Sequence, residues 1–97
     1  MAEEGVRIDV WLWRARFFKT RAMAAEAVER GVRVRRSGAP ISDGPARIHK
    51  PAWPVRPGDE IVFARSGRLS AIRIEALGSR RGPPAEARAL YSSLENP

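Results

Sequence analysis

The sequence predicts an α+β fold: two N-terminal helices packed on a small, mostly antiparallel sheet, with a further helix at the C-terminus. Three observations carry this. Apolar residues recur at helical spacing up to about residue 30, the pattern then switches to strict alternation, and Gly/Pro-rich turns separate the alternating segments. The chain has 97 residues, so one domain with one small core is expected.

Residues 1–6 read as a short flexible leader. Asp9 is placed to cap a helix over 10–17, in which Ile8, Leu12 and Ala15, and also Val10, Trp13 and Phe17, recur at helical spacing. Lys19-Thr20 interrupts that pattern, and Thr20 can cap a second helix over 21–30. Met23, Ala24, Ala27 and Val28 share the inner face of this helix, and Gly31 suits a left-handed C-terminal cap. Val32-Arg33-Val34-Arg35 then alternates apolar and basic residues, as a strand with one buried face does.

Residues 37–54 are rich in Gly, Pro and Ser and read as an irregular connection with a short strand inside it. Pro57-Gly58-Asp59 is a turn into a strand over 60–64, Ser66-Gly67 a hairpin turn, and 71–77 the returning strand. Gly78-Ser79-Arg80-Arg81-Gly82-Pro83-Pro84 breaks the sheet and concentrates positive charge. Ala87, Leu90, Tyr91 and Leu94 fall at i, i+3, i+4 and i+7, which predicts a final amphipathic helix. The expected units are a leader over 1–6, a binding domain over 7–77, and a basic linker with a helix over 78–97.

Composition narrows the function. The net charge is +7 and the isoelectric point about 11.4, enough to attract polyanions from a distance. Nucleic acid is the first such partner and an anionic membrane the competitor. The basic residues do not face a large apolar stripe on one long helix, which disfavours the membrane. There is no cysteine, so disulfides and thiolate metal sites are excluded. The acidic N-terminus is unlike a signal peptide, and no apolar run could span a bilayer, so the chain reads as cytoplasmic.

Catalysis has no visible basis. His49 is the only histidine, and Asp9, Glu26, Glu29, Asp59 and Glu60 show no spacing for paired acid–base work. There is no phosphate loop, dinucleotide fingerprint or nucleophile arrangement. No enzyme activity, metal or cofactor is expected.

Two basic groups are candidates for binding. Arg7, Arg14, Arg16, Lys19 and Arg21 lie within fifteen residues with only Asp9 opposing them. Helix ends and a tight turn would bring them together as a phosphate-neutralising surface, beside the free N–H groups at Thr20. Such a cluster can also be a merely solvated helix face, and the overall positive excess tips the balance toward function. Arg33, Arg35 and Arg36 form the second group, on a strand that charge would in any case protect as an edge. Trp11, Trp13, Phe17, Phe18 and Trp53 could stack on unpaired bases, although a small domain needs most of them in its core.

Four motifs occur in order: Arg7-Ile8-Asp9, Phe18-Lys19-Thr20-Arg21, Glu29-Arg30-Gly31-Val32-Arg33-Val34, and Val55-Arg56-Pro57-Gly58-Asp59-Glu60-Ile61. Over residues 7–63 this resembles the RNA-binding domain named after ribosomal small-subunit protein four. Trp11-Leu12-Trp13-Arg14-Ala15-Arg16-Phe17, Lys50-Pro51, and Arg80-Arg81-Gly82-Pro83-Pro84 with Leu90-Tyr91 further resemble the fifteen-kilodalton heat-shock protein family of bacteria.

The resemblance implies an αL-type fold that recognises structured ribosomal RNA. It implies action on large ribosomal subunits that still carry peptidyl-tRNA after stress. A monomer without a cofactor is expected. By motif, Arg7, Arg16, Lys19, Thr20 and Arg21 would line the RNA surface, Arg14, Arg33, Arg35 and Lys50 would flank it, and Arg80 and Arg81 would add a second contact. The stretch 35–50 is longer than the family's usual spacing, which leaves the register of Arg35, Arg47 and Lys50 open. A general structured-RNA or DNA binder, or a ribosome assembly factor, is the alternative. Pseudouridine synthases and tyrosyl-tRNA synthetases carry this domain type too, but their catalytic domains do not fit in 97 residues.

Overall fold

The structure is a computed structural model and describes residues 5–40, 42 and 44–94. The leader residues 1–4 lie outside these. Val6–Arg7 forms β1, so the extended chain is already paired one residue before the expected boundary. Ile8–Arg14 forms α1 and Arg21–Arg30 forms α2. Val32–Arg35 is β2, Ala46–Ile48 is β3, Pro54–Val55 is β4, Glu60–Arg65 is β5 and Arg68–Ile74 is β6. Pro84–Arg88 forms α3 and Tyr91–Ser93 forms β7.

Two sheets result. β1 pairs with β4, and a five-stranded sheet runs β3-β2-β5-β6-β7, every pairing antiparallel. The helices cover one side of the larger sheet. Val32, Val34, Ile61, Phe63, Ile72 and Ile74 point inward and are buried with Ile8, Trp11, Leu12, Ala24, Ala27 and Val28. Alternation sends Arg33, Arg35, Glu60, Val62 and Arg73 to the other side. Trp11 is fully buried, and its indole N–H donates to the Ala76 carbonyl at 3.0 Å, so burial leaves no unpaired donor.

Helix α2 begins and ends where the sequence predicts. Thr20 accepts a hydrogen bond from the Met23 N–H at 3.0 Å, which satisfies one of the free donors of the first turn. Gly31 closes the helix with a positive φ of 119° but a ψ of 126°, an extended exit rather than the left-handed helical cap expected. Met23 also differs from expectation: it is 46% exposed, while Ala24, Ala27 and Val28 carry the inner face.

Helix α1 starts earlier and stops earlier than expected. Asp9 does not cap it: the residue lies inside the first turn, is buried, and accepts from the Arg7 guanidinium and the Val10 N–H. At the other end the Arg16 N–H donates to the Trp13 carbonyl and the Phe17 N–H to the Leu12 carbonyl. That pair of bonds is a Schellman closure, with Arg16 in the left-handed position at φ 64°. The closure turns Phe17 back into the core, where helical continuation would not have placed it.

The hairpin turn is as predicted. Arg65 and Arg68 are opposite one another, and Ser66 and Gly67 both have positive φ, the conformation that matches strand twist in two-residue turns. The strand after it starts three residues earlier than expected and ends at Ile74.

The C-terminal segment departs most. The helix is α3, a short turn started by Pro84 at its first position, and it ends before Leu90. Tyr91–Ser93 then pairs with β6, matching Ile74 with Tyr91 and Ile72 with Ser93. Spacing of i, i+3, i+4 buries Ala87 and Leu90 equally well in one helical turn. Beyond that turn, the chain pairs with the otherwise open edge of β6 and covers it.

Candidate nucleic-acid interface

The expected binding residues fall into three places. The first is the junction of α1 and α2, where Arg14, Arg16, Lys19, Thr20 and Arg21 gather within one loop and its flanking turns. Lys19 and Arg21 are exposed and, among the described residues, make no hydrogen bond or ion pair. They stand beside the N-terminus of α2, whose remaining N–H groups favour an anion.

The basic tail docks on this junction, which chain distance did not reveal. Arg14 donates to the Gly78 carbonyl at 3.0 Å, and Arg16 donates through Nε to the Gly82 carbonyl at 2.7 Å. In return Arg81 donates to the Trp13 carbonyl at 3.1 Å and lies 5.9 Å from the Trp13 ring centroid. Arg81 thereby adds a second donor to the carbonyl that the Arg16 N–H already reaches at the end of α1. Arg80 is turned aside into a two-point pair with Glu86, which raises its pKa through hydrogen bonding and then through charge.

The second place is the start of α1. Arg7 grips Asp9 with two hydrogen bonds of 3.0 and 2.9 Å, and this contact raises its pKa. Lys50 is exposed in the connection that meets this end, where the Asp9 N–H donates to the Pro51 carbonyl and the Ile8 N–H to the Trp53 carbonyl.

The third place is the outer face of the sheet. Arg33 and Arg35 project there, away from the helices, so the helical and strand clusters do not merge into one face. Arg33 lies directly opposite Arg47 on β3, a like-charge pair that is unfavourable without an anion nearby.

Of the aromatic residues, Trp11, Phe17 and Phe18 are core. Trp13 and Trp53 are half-buried, each with an arginine over its ring: Arg81 at 5.9 Å and Arg36 at 4.4 Å. No described group of three or more His, Cys, Asp or Glu could hold a metal ion, and no described helix is long and apolar enough to cross a membrane.

Comparison with known proteins places this geometry. No family model matches the chain. A solved structure of Vibrio cholerae heat shock protein 15 is 37% identical in sequence, with a TM-score of 0.72 over 94% of this chain and 82% of that one. The chain belongs to the heat shock protein 15 family. The heat shock protein 15 homolog of Haemophilus influenzae is 34% identical over 96 residues, or 99% of this chain. Heat shock protein 15 of Escherichia coli is 34% identical over 86 residues, or 89% of the chain. The chain spans 66% and 58% of those two relatives' lengths. The Vibrio heat shock protein 15 is described as trimeric, whereas the sequence here led to the expectation of a monomer.

Arg36, grouped by sequence with Arg33 and Arg35, instead joins the half-buried Trp53 to Asp59, which is fully buried. Arg65 and Arg88 escaped the sequence reading: they approach the α1–α2 junction from far along the chain, and only the folded chain brings them to Arg16.

Proposed function

We propose that this protein binds structured ribosomal RNA on the large ribosomal subunit, and that it acts in rescue or recycling of subunits left with peptidyl-tRNA after heat or other stress. One observation carries the RNA-binding step: Lys19 and Arg21 stand exposed and, among the described residues, unpaired at a helix junction onto which a second basic segment is docked. Lys19, Arg21 and the N-terminus of α2 would neutralise consecutive phosphates, while Arg14, Arg16 and Arg81 hold the surface in shape through carbonyl contacts. Arg7 and Lys50 would extend the interface along α1. Arg33 and Arg35 would meet a different part of the particle, because they project from the other side of the sheet. Likeness to the trimeric Vibrio protein supports an assembly larger than a monomer.

Co-sedimentation with small subunits, large subunits, intact ribosomes and large subunits carrying peptidyl-tRNA tests this reading. Preference for the loaded large subunit at moderate salt is the expected result. Equal, salt-labile binding to every particle, and to duplex DNA, would reduce the protein to a general polyanion binder.

A further inference from the structure

Arg16, Arg65 and Arg88 come from three distant parts of the chain, yet they line one open cavity of about 190 Å³. Its remaining wall is apolar apart from Tyr91, and no carboxylate among the described residues lines it. Phe17 and Tyr91 lie against each other with ring centroids 4.5 Å apart and form its floor.

Folding does not explain the gathering. Arg88 is exposed and, among the described residues, has no hydrogen bond or ion pair. Arg65 lies 5.3 Å from the Phe17 ring centroid and, among the described residues, otherwise hydrogen-bonds only the Phe17 carbonyl, at 3.5 Å. Arg16 spends its Nε on Gly82, which leaves its terminal amino groups available. It does so from a left-handed backbone at φ 64°, in a helix-ending position where glycine would be free of strain. Retained strain of this kind is characteristic of residues whose side chain is needed.

We infer that this cavity is a phosphate-binding pocket, and that the phosphate it takes belongs to the RNA backbone bound at the α1–α2 junction. The inference rests on the RNA-binding reading above. Three guanidinium groups without a counter-ion repel one another, and an anion between them replaces that repulsion with attraction. Guanidinium forks fit phosphodiester oxygens, and three of them from different elements fix one phosphate in place. Because Arg16 belongs to both, the pocket extends the interface from the helix junction across to the β5–β6 hairpin and α3.

The test compares wild type, Arg88→Gln, Arg65→Gln/Arg88→Gln and a charge-matched Arg30→Gln/Arg56→Gln control. Binding to purified large-subunit ribosomal RNA is followed over a potassium chloride series, with circular dichroism as the fold check. The pocket double variant should lose roughly tenfold in affinity, and its salt slope should fall by about one to two. Arg88→Gln alone breaks no hydrogen bond or ion pair among the described residues and should lose part of this, which keeps the test valid if Arg65→Gln disturbs Phe17. Equal weakening in the control would overturn the pocket, leaving only net charge. Pocket variants that bind like a tightly binding wild type would also overturn it while sparing the RNA-binding reading. If wild type fails to bind this RNA, both readings fall. Saturable binding of inorganic phosphate in the pocket with unaltered RNA affinity would reassign it to a free anion.

Discussion

Asp59 shows how one side chain can secure a fold. It is fully buried and accepts from the Arg56 N–H at 2.9 Å and the Ser37 N–H at 3.2 Å, with the Arg36 guanidinium 3.7 Å away. The turn before it needs glycine: Gly58 has φ 93°, and a Cβ there would come within 2.8 Å of the Ser37 hydroxyl. Pro57-Gly58-Asp59 was legible as a turn, but its role as the clasp between β2 and β5 was not, because Ser37 lies 22 residues away. Asp59→Ala should destabilise the protein by about 1–3 kcal/mol, since two backbone N–H groups and a partly buried arginine lose their buried acceptor. A chemical melt with unchanged midpoint would show the clasp to be dispensable.

Elements differ in how much of them the local sequence decides. Helix α2 was legible because Thr20, the apolar face and Gly31 all agree. The strands β2 and β5 were legible because alternation leaves one choice of inner face. The ends of α1 and the C-terminal segment were not. Arg16 in a left-handed closure has no sequence signature, and Tyr91–Ser93 becomes a strand only because the β6 edge is there to receive it.

The candidate binding residues divide in the same way. The cluster at the helix junction is contiguous in sequence and could be named from it, whereas the docking of the tail depends on carbonyls at 13, 78 and 82. Arg81 is the one tie made by a tail side chain to the α1 backbone among the hydrogen bonds at 13, 78 and 82. Arg81→Ala should cost about 1.5–3 kcal/mol, the usual range for a hydrogen bond to a charged group. For a chain of this size each kcal/mol lowers the melting temperature by about 4–8 °C. A melting temperature within a degree of wild type would mean that the tail holds its place without this contact. Proteolysis of the tail gives a second readout, since loosening exposes residues 78–84 to cleavage before the core unfolds.

At the scale of the whole molecule, positive charge is placed on two sides of one sheet. The helix junction with its docked tail occupies one side, and Arg33 with Arg47 the other. Net charge of +7 explains attraction to any polyanion, so attraction alone cannot identify the binding side. The two faces predict different behaviour on a large particle. Loss of the junction should weaken every interaction with structured RNA, while Arg33→Ala/Arg47→Ala should alter only contacts made from the far side. A preference for isolated RNA helices that survives Arg33→Ala/Arg47→Ala would agree with this division, and its loss would not.

The most direct measurement is the affinity of Lys19→Ala/Arg21→Ala for purified large ribosomal subunits over a salt series. Neither side chain has an internal partner among the described residues, so the fold and its circular dichroism spectrum should be unchanged. If the helix junction is the RNA-binding site, affinity at moderate salt falls about tenfold or more and the salt slope falls by about two, one for each lost phosphate contact. Wild-type affinity and slope in this variant would contradict the site.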